Sequence, residues 1–212
     1  AGANPTDKKK KEALASIDKH QAEIIALSDR IWELAETALE EIQSSKLLAD
    51  YAEAQGFKVE RGVAGLPTAF VATYGQGRPV IGVLGEYDAL PGLSQKAQPV
   101  KEALQPGAPG QGCGHNLLGT AALSSALAIK ELIESGKLKG TIRFYGTPAE
   151  EATGGKVYMV RAGLFNDLDA CLTWHPGQET EVSVDGSQAI VEFIIEFFGR
   201  AAHAAGDPWN GR

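Results

Sequence analysis

Val80-Ile81-Gly82-Val83-Leu84-Gly85 is an uninterrupted apolar run of strand length. A strand with one wet face alternates apolar and polar residues, so an unbroken run predicts a strand covered on both faces. The same texture recurs outward from it. Residues 141–145 and 170–174 read as further buried strands, and 57–61 and 69–74 as two strands that precede it. Helical spacing fills the intervals. Ile17, Ile24, Leu27, Ile31 and Leu34 share one face of a helix over about residues 7–36. A second helix covers about 41–54 and stops at Gly56, a third runs over about 116–135 to Gly136, and a short fourth ends at Gly163. Strands and helices alternating with short connections predict an α/β fold, a mostly parallel mixed sheet flanked by helices.

After Gly177 the texture changes. Residues 181–184 and 189–198 are β-rich, and the second stretch reads as the first strand of another sheet. One strand cannot cover its own faces. The expectation is therefore residues 1–186 as the N-terminal portion of one domain and 187–212 as the start of a second, truncated one. The chain opens at Ala1 with no signal peptide, as expected if a targeting segment was removed or the numbering begins after processing. Lys8 to Lys11 read as a solvated first helical turn, and His20, among Lys19, Gln21 and Glu23, as a surface residue.

Composition narrows the function classes. Hydrophobic residues at 43% and charged residues at 22% exclude a disordered tail or a fibrous repeat. With 27 acidic against 20 basic residues the net charge is -7, which argues against nucleic acid as a partner. The sequence reads as having no apolar run near the ~20 residues that span a bilayer, so no membrane partner is expected. Two cysteines, Cys113 and Cys171, are too few for a disulfide framework.

The chemistry gathers at strand ends, where ligand sites lie in doubly wound folds. Gly112-Cys113-Gly114-His115-Asn116 opens a helix, while Pro148-Ala149-Glu150-Glu151 and Trp174-His175-Pro176 follow strands. Residues 86–114, broken by Pro91, Pro99, Pro106 and Pro109, form a long loop of the kind that is usually functional. Together these segments offer a thiolate, two imidazoles and several carboxylates, a palette suited to a divalent metal. Alone, Cys113 reads as a small buried hydrophobe and His115 as a helix cap or core imidazole. Paired across Gly114 in a glycine-flanked turn, both can reach one centre in a metal or catalytic role. A cysteine nucleophile with His115 or His175 as base is the rival chemistry. Glu150 and Glu151 point in different directions on a loop, so one can bind a metal while the other moves a proton. Otherwise they are a solvated acidic pair at a helix start. His175 alone reads as a structural strand-end residue and counts only in combination. His203, among small residues, reads as a loop histidine with room for a close approach.

Five segments carry a resemblance: 85–93 (Gly-Glu-Tyr-Asp-Ala-Leu-Pro-Gly-Leu), 112–120 (Gly-Cys-Gly-His-Asn-Leu-Leu-Gly-Thr), 140–146 (Gly-Thr-Ile-Arg-Phe-Tyr-Gly), 148–151 (Pro-Ala-Glu-Glu) and 173–176 (Thr-Trp-His-Pro). In order and spacing they resemble the M20 metallopeptidase/amidohydrolase family, in the branch that contains the aminobenzoyl-glutamate utilization protein B hydrolases. The resemblance implies a zinc-exopeptidase-like catalytic domain holding two divalent metal ions, zinc or manganese, with an inserted α+β lid that also mediates homodimer formation. By motif, Cys113, His115, Glu151 and His175 correspond to metal ligands and Glu150 to the general base. Asp88 corresponds to a carboxylate that orients a ligand. His203 corresponds to the lid histidine that steadies the oxyanion in the partner subunit's site. The implied activity is metal-assisted hydrolysis of the amide bond of an N-acyl or aroyl amino acid or dipeptide-like substrate, p-aminobenzoyl-glutamate being the first candidate. The alternative is a non-catalytic metal- or partner-binding fragment. The family points to the cytoplasm, the Ala1 start to the periplasm. Two departures stand out. Gln111 replaces a histidine common in this branch, with tuning rather than loss expected, and the family's remaining metal-binding histidine belongs to a longer chain.

Overall fold

The computed structural model describes residues 5–182 and, beyond them, 191, 193, 195–196, 198–200, 202–203 and 205–211. Two compact units divide between Gly177 and Gln178. The boundary expected at residues 186 and 187 lies outside the described residues.

The first unit runs α1 (Pro5–Leu34), α2 (Ile42–Ala54), β1 (Lys58–Arg61), β2 (Phe70–Gln76), β3 (Val80–Gly85), α3 (His115–Glu134), β4 (Gly140–Gly146), α4 (Gly155–Arg161) and β5 (Ala170–Leu172). Its sheet has the order β1-β2-β4-β3-β5. β3 pairs parallel with both β4 and β5, whereas β1 with β2 and β2 with β4 are antiparallel. The mixed sheet thus has a parallel part three strands wide. Short links explain the antiparallel part. Residues 77–79 alone separate β2 from β3, so the chain reverses there, and β4, parallel to β3, must oppose β2.

The sheet has two covered faces because successive residues alternate sides. Phe70, Ala72, Val83, Ile142 and Phe144 pack with Ile31 of α1, Leu48 of α2 and Leu123 and Leu127 of α3. Val71 and Tyr145 instead join Met159 of α4. The crossover helix α3 lies on one face and α4 on the other, so the chain leaves the ends of β3 and β4 in opposite directions. That divergence opens a crevice beyond the strands' carboxyl ends.

α3 corrects one sequence expectation: among the described residues it is long and apolar enough to cross a membrane, yet 67% of its apolar window is buried within the protein. Its apolarity serves the core, with α1 on one side and the sheet on the other. His20 corrects another. It is buried, with Nδ1 3.2 Å from Glu23 and Nε2 3.0 Å from Glu131 of α3. It lies on the face that α1 turns to α3, while its polar sequence neighbours lie around the helix. Burial works against ionising Glu131, but His20, Ser16 and Lys19 outweigh it and hold that carboxyl down at about 2.

At Gly119 the core helix meets the end of β3. A Cβ there would sit 2.4 Å from the Glu86 carbonyl oxygen. Gly119→Ala is expected to lose about 1–2 kcal/mol, the overpacking cost being partly offset by alanine's better helix propensity. Urea denaturation checks this as a lower midpoint at constant slope. An unchanged midpoint would mean that α3 steps back freely.

In the second unit, Pro208–Asn210 form one 3-10 turn. The strands expected over 181–184 and 189–198 fall largely outside the described residues.

Candidate metal centre

His115 opens α3 directly after Gly114, whose φ of 79° lies in the left-handed region that favours glycine. This turn drops the imidazole into the crevice, where it is fully buried. Gln111 braces the turn: its Nε2 donates to the Tyr87 carbonyl at 3.2 Å, and its Oε1 accepts from the Asn116 N–H at 3.1 Å. The position that departs from the family pattern therefore holds backbone.

Asp88 fixes the ring. His115 Nδ1–H donates to the Asp88 carbonyl at 3.1 Å and to its Oδ1 at 3.0 Å. With its proton committed to Nδ1, the neutral imidazole turns the lone pair of Nε2 into the crevice. Facing Nε2 are Glu86 Oε2 at 3.0 Å and Glu150 Oε2 and Glu151 Oε1, each at 3.9 Å. Burial alone would lower the basicity of His115, but Asp88 and Glu86 outweigh it and push the group up to about 10. In the metal-free site the imidazole therefore carries a proton that a metal ion must displace.

Glu150 and Glu151 follow β4 through a strained turn. Ala149 is buried with φ 56°, a conformation costing an L-residue roughly 1–2 kcal/mol. Two carboxylates hold that turn. Glu41 Oε1 accepts from the Ala149 N–H at 2.7 Å, and Asp88 Oδ2 from the Glu151 N–H at 2.9 Å. Glu41, itself fully buried, also accepts from the Thr68 hydroxyl at 3.2 Å. The turn separates the two acids' environments: the Glu151 side chain is 18% exposed and that of Glu150 44%. Burial, then the Glu86 and Glu151 carboxylates, raise the Glu150 pKa above its ordinary value.

Cys113 and His175 form a second pair, with Sγ and Nε2 3.3 Å apart. His175 Nδ1–H donates to the Pro176 carbonyl at 2.9 Å, leaving Nε2 as acceptor for the thiol. The two imidazoles meet edge to face, centroids 5.7 Å apart. Burial and then the Glu151, Glu150 and Glu86 carboxylates push the Cys113 thiol up to about 12.

Of the expected site residues, Cys113, His115, Glu150, Glu151, His175 and Asp88 come together at this crevice. His203 lies in the second unit, where its Nδ1 accepts from the Ala205 and Gly206 N–H groups at 3.2 and 2.8 Å. Sequence reasoning assigns no role to Glu86, Lys156 or Glu41. Glu86 carries a signal, its place immediately after β3. Lys156, which pairs with Glu86, and Glu41 act on residues distant in the chain and carry none.

The donor set fits divalent ions. Cys113, His115 and His175 offer one group of donor atoms within 4.8 Å of one another, and Glu86, His115 and Glu150 another. Among the described residues, His115 Nε2, Glu86 Oε2 and Glu151 Oε1 are buried and make no hydrogen bond. The 3.0 Å approach of Glu86 to Nε2 lacks hydrogen-bond geometry. Orphaned buried donors converging on one point call for a cation.

An α/β sheet with thiol, imidazoles and carboxylates gathered beyond its parallel strand ends has the architecture of a hydrolase catalytic domain. The chain belongs to peptidase family M20/M25/M40, whose family model matches residues 82–206. It is 49% identical over 189 residues to one of the two subunits of p-aminobenzoyl-glutamate hydrolase from Escherichia coli, covering 88% of this chain and 39% of that one. It is also 32% identical to a mouse Xaa-Arg dipeptidase over 95% of this chain and 46% of the relative. The chain thus spans less than half the length of these curated relatives. A dinuclear metal-binding M20 peptidase from Bacillus subtilis superposes with a TM-score of 0.62 at 25% identity, over 73% of this chain and 42% of that one. An aminobenzoyl-glutamate utilization protein from Klebsiella pneumoniae shares the fold, with a TM-score of 0.61 at 18% identity over 95% of this chain and 56% of that one.

Proposed function

We propose that the protein hydrolyses the amide bond of an N-acyl or aroyl amino acid, p-aminobenzoyl-glutamate first among them, using two divalent ions, zinc or manganese. The observation that carries this reading is the set of orphaned buried donors around His115 Nε2, beside the Cys113–His175 pair. Relatives named p-aminobenzoyl-glutamate hydrolase and Xaa-Arg dipeptidase support the substrate class.

In this reading Cys113, His115, Glu151 and His175 hold the ions. Bound there, the ions polarise the scissile carbonyl and bring the pKa of water toward about 7. Asp88 keeps His115 in the tautomer that offers Nε2 and ties down the Glu151 backbone. Glu150, the more exposed acid, takes the proton from the attacking water and returns it to the leaving amine. Residues 187–212 begin the lid, which would pair two subunits and bring His203 to the partner's oxyanion.

A cysteine nucleophile fits the site less well. Reactive thiolates sit in electropositive surroundings, whereas carboxylates surround Cys113 and keep its thiol protonated.

Elemental analysis of the full-length protein, with p-aminobenzoyl-glutamate hydrolysis assayed with and without a chelator, tests the proposal. Two ions per chain and chelator-sensitive turnover are expected. A metal-free protein inactivated by thiol alkylation would overturn the reading in favour of the nucleophile. Bound metal without turnover on any N-acyl amino acid or dipeptide would overturn it in favour of a binding role.

A further inference from the structure

We propose that Glu86 is an additional oxygen donor to the metal centre, steadied by Lys156, which lets Glu150 stay off the ions and free for proton transfer. This rests on the metal-dependent reading above and adds a ligand to it.

Glu86 is the first residue beyond β3, and its main chain cannot retreat. Its carbonyl lies against Gly119 of α3, with no room for even a Cβ, and the preceding Gly85 carbonyl accepts from the Thr147 N–H at 2.9 Å. The side chain is only 9% exposed. Oε1 engages the ammonium of Lys156, which reaches over from α4. Among the described residues Oε2 is buried without a hydrogen bond, 3.0 Å from the equally unpartnered Nε2 of His115.

A purely structural ion pair would not leave this arrangement. Lys156 needs one carboxylate oxygen, and an ionised carboxylate buried with its other oxygen unsatisfied is costly. The cost is relieved if both Oε2 and Nε2 bind one cation. Two donors about 2.0–2.2 Å from a common ion stand roughly 3 Å apart, the separation these atoms already have. Lys156 meanwhile fixes which oxygen faces the ion, the supporting role that carboxylate ligands usually require.

The same geometry divides labour between neighbouring acids. Glu86, Glu150 and His115 offer donor atoms within 4.8 Å of one another, so either acid could serve the ion. The buried one is held at two points and suits a fixed ligand. Glu150, with its side chain 44% exposed, can reach water and substrate.

The test is competition between the full-length protein and a chromophoric chelator for Zn²⁺ and Co²⁺, in wild type, Glu86→Gln and Glu86→Asp. Glu86→Asp keeps the charge beside Lys156 but draws the oxygen back by one methylene. Both variants are expected to bind one of the ions at least about 10–100-fold more weakly, the scale on which even supporting residues act. The Cys113 thiolate-to-cobalt absorption should persist in both, showing the remaining site intact. Because Glu86→Gln strands Lys156, the double variant Glu86→Gln/Lys156→Met is measured beside it and should remain weak. Wild-type affinity in Glu86→Asp or in the double variant would show that Glu86 acts only through its charge and would overturn the proposal. Wild-type protein that binds no ion would instead sink the metal-dependent reading itself.

Discussion

Glu150→Gln is expected to lower kcat on p-aminobenzoyl-glutamate by about 10²–10⁴-fold while leaving metal content unchanged. The amide keeps the shape of the side chain and removes its capacity to take a proton. Its carboxylate stands 3.9 Å from His115 Nε2, and its side chain is the most open of the acids facing that nitrogen, at 44% against 18% for Glu151 and 9% for Glu86. Burial and the two neighbouring carboxylates raise its affinity for a proton, which suits a group that must take one and give it back. Steady-state kinetics paired with elemental analysis read the two consequences separately. Loss of metal in this variant would exchange the roles of base and ligand.

Asp88→Ala is expected to weaken metal binding about 10–100-fold, even though Asp88 is assigned no ion of its own. Asp88 is almost fully buried, and its carboxylate serves two loops at once. Oδ1 accepts from His115 Nδ1–H, and Oδ2 accepts from the Glu151 N–H. Truncation frees the imidazole to turn Nε2 away and releases the backbone that aims Glu151. Two buried donors lose an acceptor, at roughly 1–3 kcal/mol each, so the metal-free protein should be less stable by about 2–5 kcal/mol. Chelator competition and urea denaturation measure the two effects. Weakened stability with unchanged metal affinity would reduce Asp88 to a structural residue. The contrast with Glu150→Gln is itself diagnostic: one change slows turnover in a fully loaded site, the other unloads it.

The elements were legible wherever local pattern sufficed. The apolar run at 80–85 is β3 residue for residue, because a strand covered on both faces must be apolar throughout. The helices follow from a 3.6-residue repeat and from turns such as that at Gly56, φ 91°. Cys113, His115, Glu150, Glu151 and His175 stand out in sequence because each lies where the chain leaves a strand or enters a helix.

What depended on distance was not legible. His20 looked like a surface residue because its burial is imposed by α3, more than a hundred positions away in sequence. Glu41 gives no local sign that it holds Ala149. Nor does Lys156 show that it selects which oxygen of Glu86 faces His115. The sequence by itself determined the alternation of strands and helices and the donor types waiting at their ends, since both are set by neighbours a few residues apart. Only the tertiary structure decided that β4 and β5 flank β3 and which carboxylates surround Nε2. It alone left three donor atoms buried without partners, because desolvation and facing geometry arise when segments far apart in the chain close on one crevice.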